Sequence, residues 1–324
     1  MPDTEIILEQ LKEKLAGGLI PAVPVMFDRG HQFHERAHAS YVDYMLRQPV
    51  AGVAVWAHTG RGLHLAKDVA RRVIEDWRRA LPNKILIAGV GAESKHSDPT
   101  EATLAMAAAA ADCGADAVLA YPPTWLRQHE ARDRLIVEHH ERLAQLGLPL
   151  VLFYLYEAAG GVSYSRDVLD QLLSLPNVVG IKMATLDSVM TYQDVARHIQ
   201  ARHPRKLLIT GEDRFLGYSL QRGAGAALIG MGAVCCELQV ELLRSHFEGR
   251  AERFLELSDA VDELAEVLFV DPMEGYIGRI LCALAKLGII PDEAAYDPWG
   301  PALNAAEIEK IETALKTLMA SCAG

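Results

Sequence analysis

The chain is poor in cysteine and in basic residues, and it lacks a long uninterrupted apolar run. Its five Cys (113, 235, 236, 282 and 322) are an odd number with no CxxC spacing. A disulfide scaffold is therefore not expected, and a reducing cytoplasm fits better. Lys and Arg total 32 against 43 Asp and Glu, a formal charge of −11. Nucleic acids and anionic membranes are held by clustered Lys and Arg, so neither is an expected partner. The most apolar stretch, 104–123, is cut by Asp112, Gly114 and Asp116. A membrane span needs roughly 20 mostly apolar residues, so none is expected. The opening MPDTEIILEQLKEK is acidic and helical, unlike the basic-then-apolar pattern of a secretory signal. A Gly-rich phosphate loop is missing as well: the first apolar run leads into Asp28-Arg29-Gly30-His31, which is neither a dinucleotide fingerprint nor a Walker loop.

What is present is a regular beat. Half of the 324 residues are hydrophobic, enough for a large core. Continuous apolar runs occupy 18–27, 51–57, 84–91, 117–123, 149–157, 178–184, 206–213 and 226–234. Runs of this kind read as strands buried on both faces. Helical spacing fills the gaps. In 66–81, Val69, Val73, Trp77 and Leu81 recur every four residues between charges. Segment 98–114 opens on Asp98-Pro99 and ends at Gly114, good start and stop signals. Ser165 is a fitting N-cap for 165–175, with Pro176 as its stop. Eight strand–helix units predict an α/β fold, specifically a (β/α)8 TIM barrel. Helices at 236–249, 251–269, 274–288 and 304–320 follow. The expected organisation is a helical leader over 1–17, the barrel over 18–249 and a C-terminal helical extension over 250–324.

A barrel carries its chemistry at the C-terminal ends of its strands. Lys182 closes the apolar run of strand six. It reads either as a strand-end lysine reaching water or as an amine whose pKa burial lowers, leaving a nucleophile for a carbonyl. Tyr154 and Tyr156 in strand five share a face by alternation, and a phenol beside such a lysine can move protons. After strand two, Ala57-His58-Thr59-Gly60-Arg61 offers backbone N–H groups and the Thr59 hydroxyl as a nest for a carboxylate. His34 and His38 are four apart, and His139 and His140 adjacent, but they fall on outer helices, so a metal-dependent hydrolase is the weaker reading.

These motifs in order resemble one family. GIK at 180–182, the strand-five Tyr154, the turn at 57–60, GAESKHSDPTEA after strand three, GADAVLAYPP at strand four, GED at 211–213 and GAGAALIG at 223–230 are similar to the dihydrodipicolinate synthase / N-acetylneuraminate lyase family of Schiff-base enzymes. The resemblance covers about 18 to 318. It implies a lyase that takes a small-molecule 2-oxo acid, with aldol cleavage or condensation at pyruvate. It implies no cofactor beyond the covalent lysine imine, and a homotetramer or homodimer. By position, Lys182 would form the imine, Tyr154 would relay protons, Thr59 and Gly60 would hold the keto-acid carboxylate, and Ile229 would line the pocket through its backbone. Arg61, Glu157, Glu212 and Asp213 are candidates for the distal end of the substrate.

The departures are informative. His58 stands where the family has a hydroxyl, and His can also relay protons. The position of the synthase arginine that grips its second substrate falls on Ala159, and Tyr121-Pro122-Pro123-Thr124-Trp125 replaces a tyrosine pair. Lysine-biosynthetic synthase activity is thus not expected. The alternatives are a dehydratase of 2-keto-3-deoxy sugar acids using the same imine, or a family member that binds keto acids with little turnover.

Overall fold

The computed structural model describes residues 4–157, 160–186 and 188–322. Eight parallel strands form the sheet: β1 (Leu19–Pro21), β2 (Gly52–Val55), β3 (Ile85–Val90), β4 (Ala117–Ala120), β5 (Leu150–Leu155), β6 (Val178–Ala184), β7 (Leu207–Thr210) and β8 (Ala226–Ile229). They pair in the order β1-β8-β7-β6-β5-β4-β3-β2. A parallel bridge between Ala22 and Ala54 closes β1 onto β2. The (β/α)8 barrel read from the sequence is therefore the fold. Seven of the strands are shorter than their apolar runs, whose ends pass into the flanking loops, and β6 spans its whole run.

The core separates into two layers. Ala54, Ile87, Leu119, Val151, Phe153 and Leu228 belong to a cluster inside the barrel. Their neighbours Val53, Ala88, Val118, Leu152, Tyr154 and Ile229 belong to the cluster between barrel and helices. Adjacent residues thus alternate between two apolar environments, the period of two that a strand imposes, and this is why the runs read as continuous. Helices follow their signals. Asp98 accepts from the Glu101 amide ahead of Pro99–Asp112, and Ser165 caps Arg166–Ser174 through the Val168 amide. In the helix Lys67–Ala80, Val73, Ile74 and Trp77 are buried.

The extension comprises the helices Ala251–Leu268, Tyr276–Lys286 and Ala305–Cys322. Its connecting segments reach back over the barrel mouth, where Trp299 stacks on His64 with ring centroids 5.5 Å apart. Among the described residues no helix is long and apolar enough to cross a membrane.

Candidate active site

Lys182 sits in β6 between Ile181 and Met183, whose side chains face the helices; its own points into the barrel. It pairs in register with Phe153 of β5 and Ile209 of β7. Its Nζ lies 4.3 Å from the centre of the Phe153 ring, and the residue is only 7% exposed. Burial pushes the amine down to about 8, against the opposing pull of the Asp213 and Glu212 carboxylates. Gly211, just past β7, makes room for it: a Cβ there would lie 2.5 Å from Lys182 Cε and 2.9 Å from the Met183 carbonyl oxygen.

The lysine opens into a cavity of about 520 Å³. Its walls come from the barrel (His58, Thr59, Phe153, Asp213, Gly230) and from the extension (Phe269, Asp271, Met273, Glu274, Tyr276). A smaller recess of about 150 Å³ continues past His58 and Leu155 toward Arg61 and Tyr121. His58 stands at the junction. Its Nε2 is 3.7 Å from Glu274 Oε1, and its ring meets that of Tyr276 edge-on at 6.0 Å. Burial lowers the imidazole pKa despite Glu274, so His58 is neutral at pH 7 and able to accept a proton.

The structure brings Lys182, Thr59 and His58 to one cavity. It places several other expected site residues differently. Tyr154 faces the helical layer, where its ring packs edge-on against Tyr164 at 5.8 Å. The inward residue in register with Lys182 is Phe153, so a relay from Tyr154 to the lysine is corrected. Tyr156 does line the cavity; it lies past the end of β5, where the alternation that would pair it with Tyr154 no longer holds. Ile229 also points outward, and its carbonyl accepts from the Ala22 amide at 2.9 Å; Gly230 is the one that lines the cavity.

Arg61 is not free to hold a substrate. Its Nε and Nη2 donate to the Asp297 carboxylate at 3.2 and 2.6 Å, and Nη1 donates to Glu274 at 3.0 Å. It fastens the extension to the mouth. Glu212 is fully buried and accepts from the Thr185 amide (2.6 Å), the Thr185 hydroxyl (3.0 Å) and the Leu186 amide (3.0 Å). It shapes the loop after β6, while its neighbour Asp213 reaches the cavity. Burial raises Asp213 to about 7, even though its Oδ1 accepts from the Met231 amide at 2.7 Å. Glu157 is exposed and accepts from the Ser163 amide at 3.4 Å.

In the turn after β2, the Gly60 amide donates to Ala57 and that of Arg61 to His58. Gly60 therefore gives the turn its shape, and the carboxylate nest narrows to Thr59. Thr59 is buried, with its hydroxyl 3.1 Å from that of Tyr276. Ala159 lies outside the described residues. His139 and His140 bond to the Thr100 hydroxyl and the Ile136 carbonyl on the outer layer. Among the described residues no group of three or more His, Cys, Asp or Glu is placed to hold a metal ion. Tyr276 and Phe269 were not expected at the site. They lie in the extension, 217 residues from Thr59 in the case of Tyr276, and no local pattern links them to a strand end.

The sequence model of the dihydrodipicolinate synthetase family matches residues 15–318. A 4-hydroxy-tetrahydrodipicolinate synthase of Anaplasma marginale (strain Florida) is 27% identical over 276 residues, covering 83% of this chain and 86% of that one. The enzyme of the same name from Brucella abortus biovar 1 is 26% identical over 303 residues, covering 92% and 97%. Two solved structures share the fold. Dihydrodipicolinate synthase from Thermotoga maritima has a TM-score of 0.83 at 21% identity, covering 94% of this chain and 99% of that one. The wild-type sialic acid aldolase of Ruminococcus gnavus has a TM-score of 0.81 at 19% identity, covering 96% and 99%.

Proposed function

The chain belongs to the dihydrodipicolinate synthetase family, and we propose that it is a lyase in which Lys182 forms an imine with the ketone of a 2-oxo acid. The observation that carries the reading is the geometry of Lys182: a buried amine, set over an aromatic ring and opening into a cavity at the mouth of the barrel. In an apolar wall the neutral amine is favoured over the ammonium, and the neutral amine is the nucleophile. The protonated imine then draws electrons from C3 of the substrate. The C3–C4 bond can break with release of pyruvate, or form in the reverse direction. In this reading the turn at Thr59 receives the substrate carboxylate. The reaction so proposed calls for no cofactor.

The second reactant is not the one a lysine-biosynthetic synthase uses. Asp213, Asp271 and Glu274 line the cavity, and Arg61 is satisfied by two carboxylates. This wall is suited to a neutral or hydroxylated distal end and repels a second carboxylate. Assembly into a homodimer or homotetramer is proposed with it, and Val189 and Met190 stand exposed on one helix as candidates for such a contact.

Incubation with pyruvate and borohydride, followed by mass measurement of the intact protein and its peptides, tests the imine. An adduct on Lys182 is expected. No adduct with pyruvate or with longer 3-deoxy-2-oxo acids would sink the reading. The pH profile has a defined sign. With the amine at about 8, the trapping rate should rise roughly tenfold per pH unit below that value and level off above it. A rate flat from pH 6 to pH 9 would contradict the depressed amine.

Gly211→Ala addresses the packing behind the lysine. The new methyl meets Lys182 Cε and the Met183 carbonyl, so the amine must shift by about 1 Å, a displacement that can cost roughly 100-fold in rate. Stopped-time trapping of wild type and variant with pyruvate measures it. An unchanged rate would show that the lysine tolerates the methyl.

A further inference from the structure

The proposed imine requires proton transfers that Tyr154 is not placed to make. As the lysine nitrogen bonds to C2, it must lose a proton and the C2 oxygen must gain one. The C2–O bond then breaks, and the oxygen leaves as water with a second proton. Hydroxyl groups beside the amine normally serve this traffic. Within the Lys182 cavity, the buried pair Thr59–Tyr276 has that form. The two oxygens are 3.1 Å apart and either can donate. A Cβ on Gly230 would lie 3.1 Å from both the Thr59 hydroxyl and the Tyr276 ring, so the pair meets over a residue that itself lines the cavity.

We infer that Tyr276, carried by the C-terminal extension, is the proton-relay tyrosine of this enzyme, working through Thr59. This rests on the imine reading. Tyr276 OH gives its proton to the developing C2 alkoxide and is replenished through the Thr59 hydroxyl from the lysine nitrogen; the proton that departs with water enters from solvent past the half-buried His58. The phenol is buried and remains protonated, as a donor to an alkoxide must. Its position is held from both sides. Phe269 stacks on its ring at 4.8 Å, and the Arg61 ion pairs fix Glu274 two residues before it. The active site is thereby completed by the extension, and a barrel without it would hold the nucleophile but lack this phenol.

The test is the time course of pyruvate adduct formation under cyanoborohydride, read by intact mass on the full chain. Tyr276→Phe should reach the wild-type adduct mass on the order of 100-fold more slowly, while Tyr154→Phe stays within about threefold of wild type. Thr59→Val, nearly isosteric, should slow the reaction as well, and it carries the test if Tyr276→Phe is poorly folded. Residues acting as one unit are not additive, so the double variant should be no slower than the slower single one. Trapping of Tyr276→Phe at the wild-type rate, equal slowing by Tyr154→Phe, or additive slowing in the double variant would each overturn the relay. A wild-type protein that forms no adduct at all would overturn the imine reading itself, a separate result.

Discussion

Lys182→Ala is expected to form no pyruvate adduct and to lose on the order of 10⁴-fold or more in turnover, since removing a covalent nucleophile removes the pathway and not one contact. Lys182→Arg should be equally inactive, because the guanidinium stays charged and presents no nucleophilic lone pair. The fold should survive. Among the described residues no carboxylate forms an ion pair with the lysine, and burial disfavours its charge despite Asp213 and Glu212. Taking it out relieves that desolvation, so the melting temperature of Lys182→Ala should equal or exceed that of wild type, as is common when an active-site group is removed. Added ethylamine should restore part of the turnover by occupying the vacated volume. Retained adduct formation in Lys182→Ala would place the imine on another lysine and end the proposal.

The barrel was legible because its strands and helices obey two different periods, and because both faces of each strand are apolar. The same property hid the phase of β5. In Leu150–Leu155 every side chain is buried, so nothing in the run says whether Phe153 or Tyr154 points inward. The phase is set by pairing with β6, where Phe153 stands opposite Lys182, and a one-residue shift exchanges the two faces completely. Motif position alone placed the tyrosine on the wrong side. Glu212 and Asp213 show the same ambiguity at a loop: both are buried, and only the amides of Thr185 and Leu186 decide that Glu212 turns away from the cavity. Lys182, Thr59 and His58 were legible because they lie near the C-terminal ends of β6 and β2, where the fold class puts the chemistry. Tyr276 and Phe269 were not, since strand-end reasoning does not reach the extension.

Arg61→Ala is the change that probes how the extension is held. Its guanidinium forms a two-pronged pair with Asp297, and both side chains are almost entirely buried, at 7% and 2% exposure. A buried pair adds little net stability over apolar replacements, but removing one partner strands the other charge and costs about 3–5 kcal/mol. Asp297 would be stranded in this way, whereas Glu274 is 55% exposed and would return to water at small cost. Thermal or urea unfolding of Arg61→Ala should show that loss, and Arg61→Met with Asp297→Leu should recover most of it. A single variant as stable as wild type would show that the extension is anchored elsewhere. The two variants also separate anchoring from chemistry. The double variant restores packing without restoring the bond from Arg61 to Glu274, two residues from Tyr276. If that bond aims the phenol, pyruvate trapping in the stabilised double variant stays slower than wild type; if stability alone matters, trapping returns to the wild-type rate together with the unfolding midpoint.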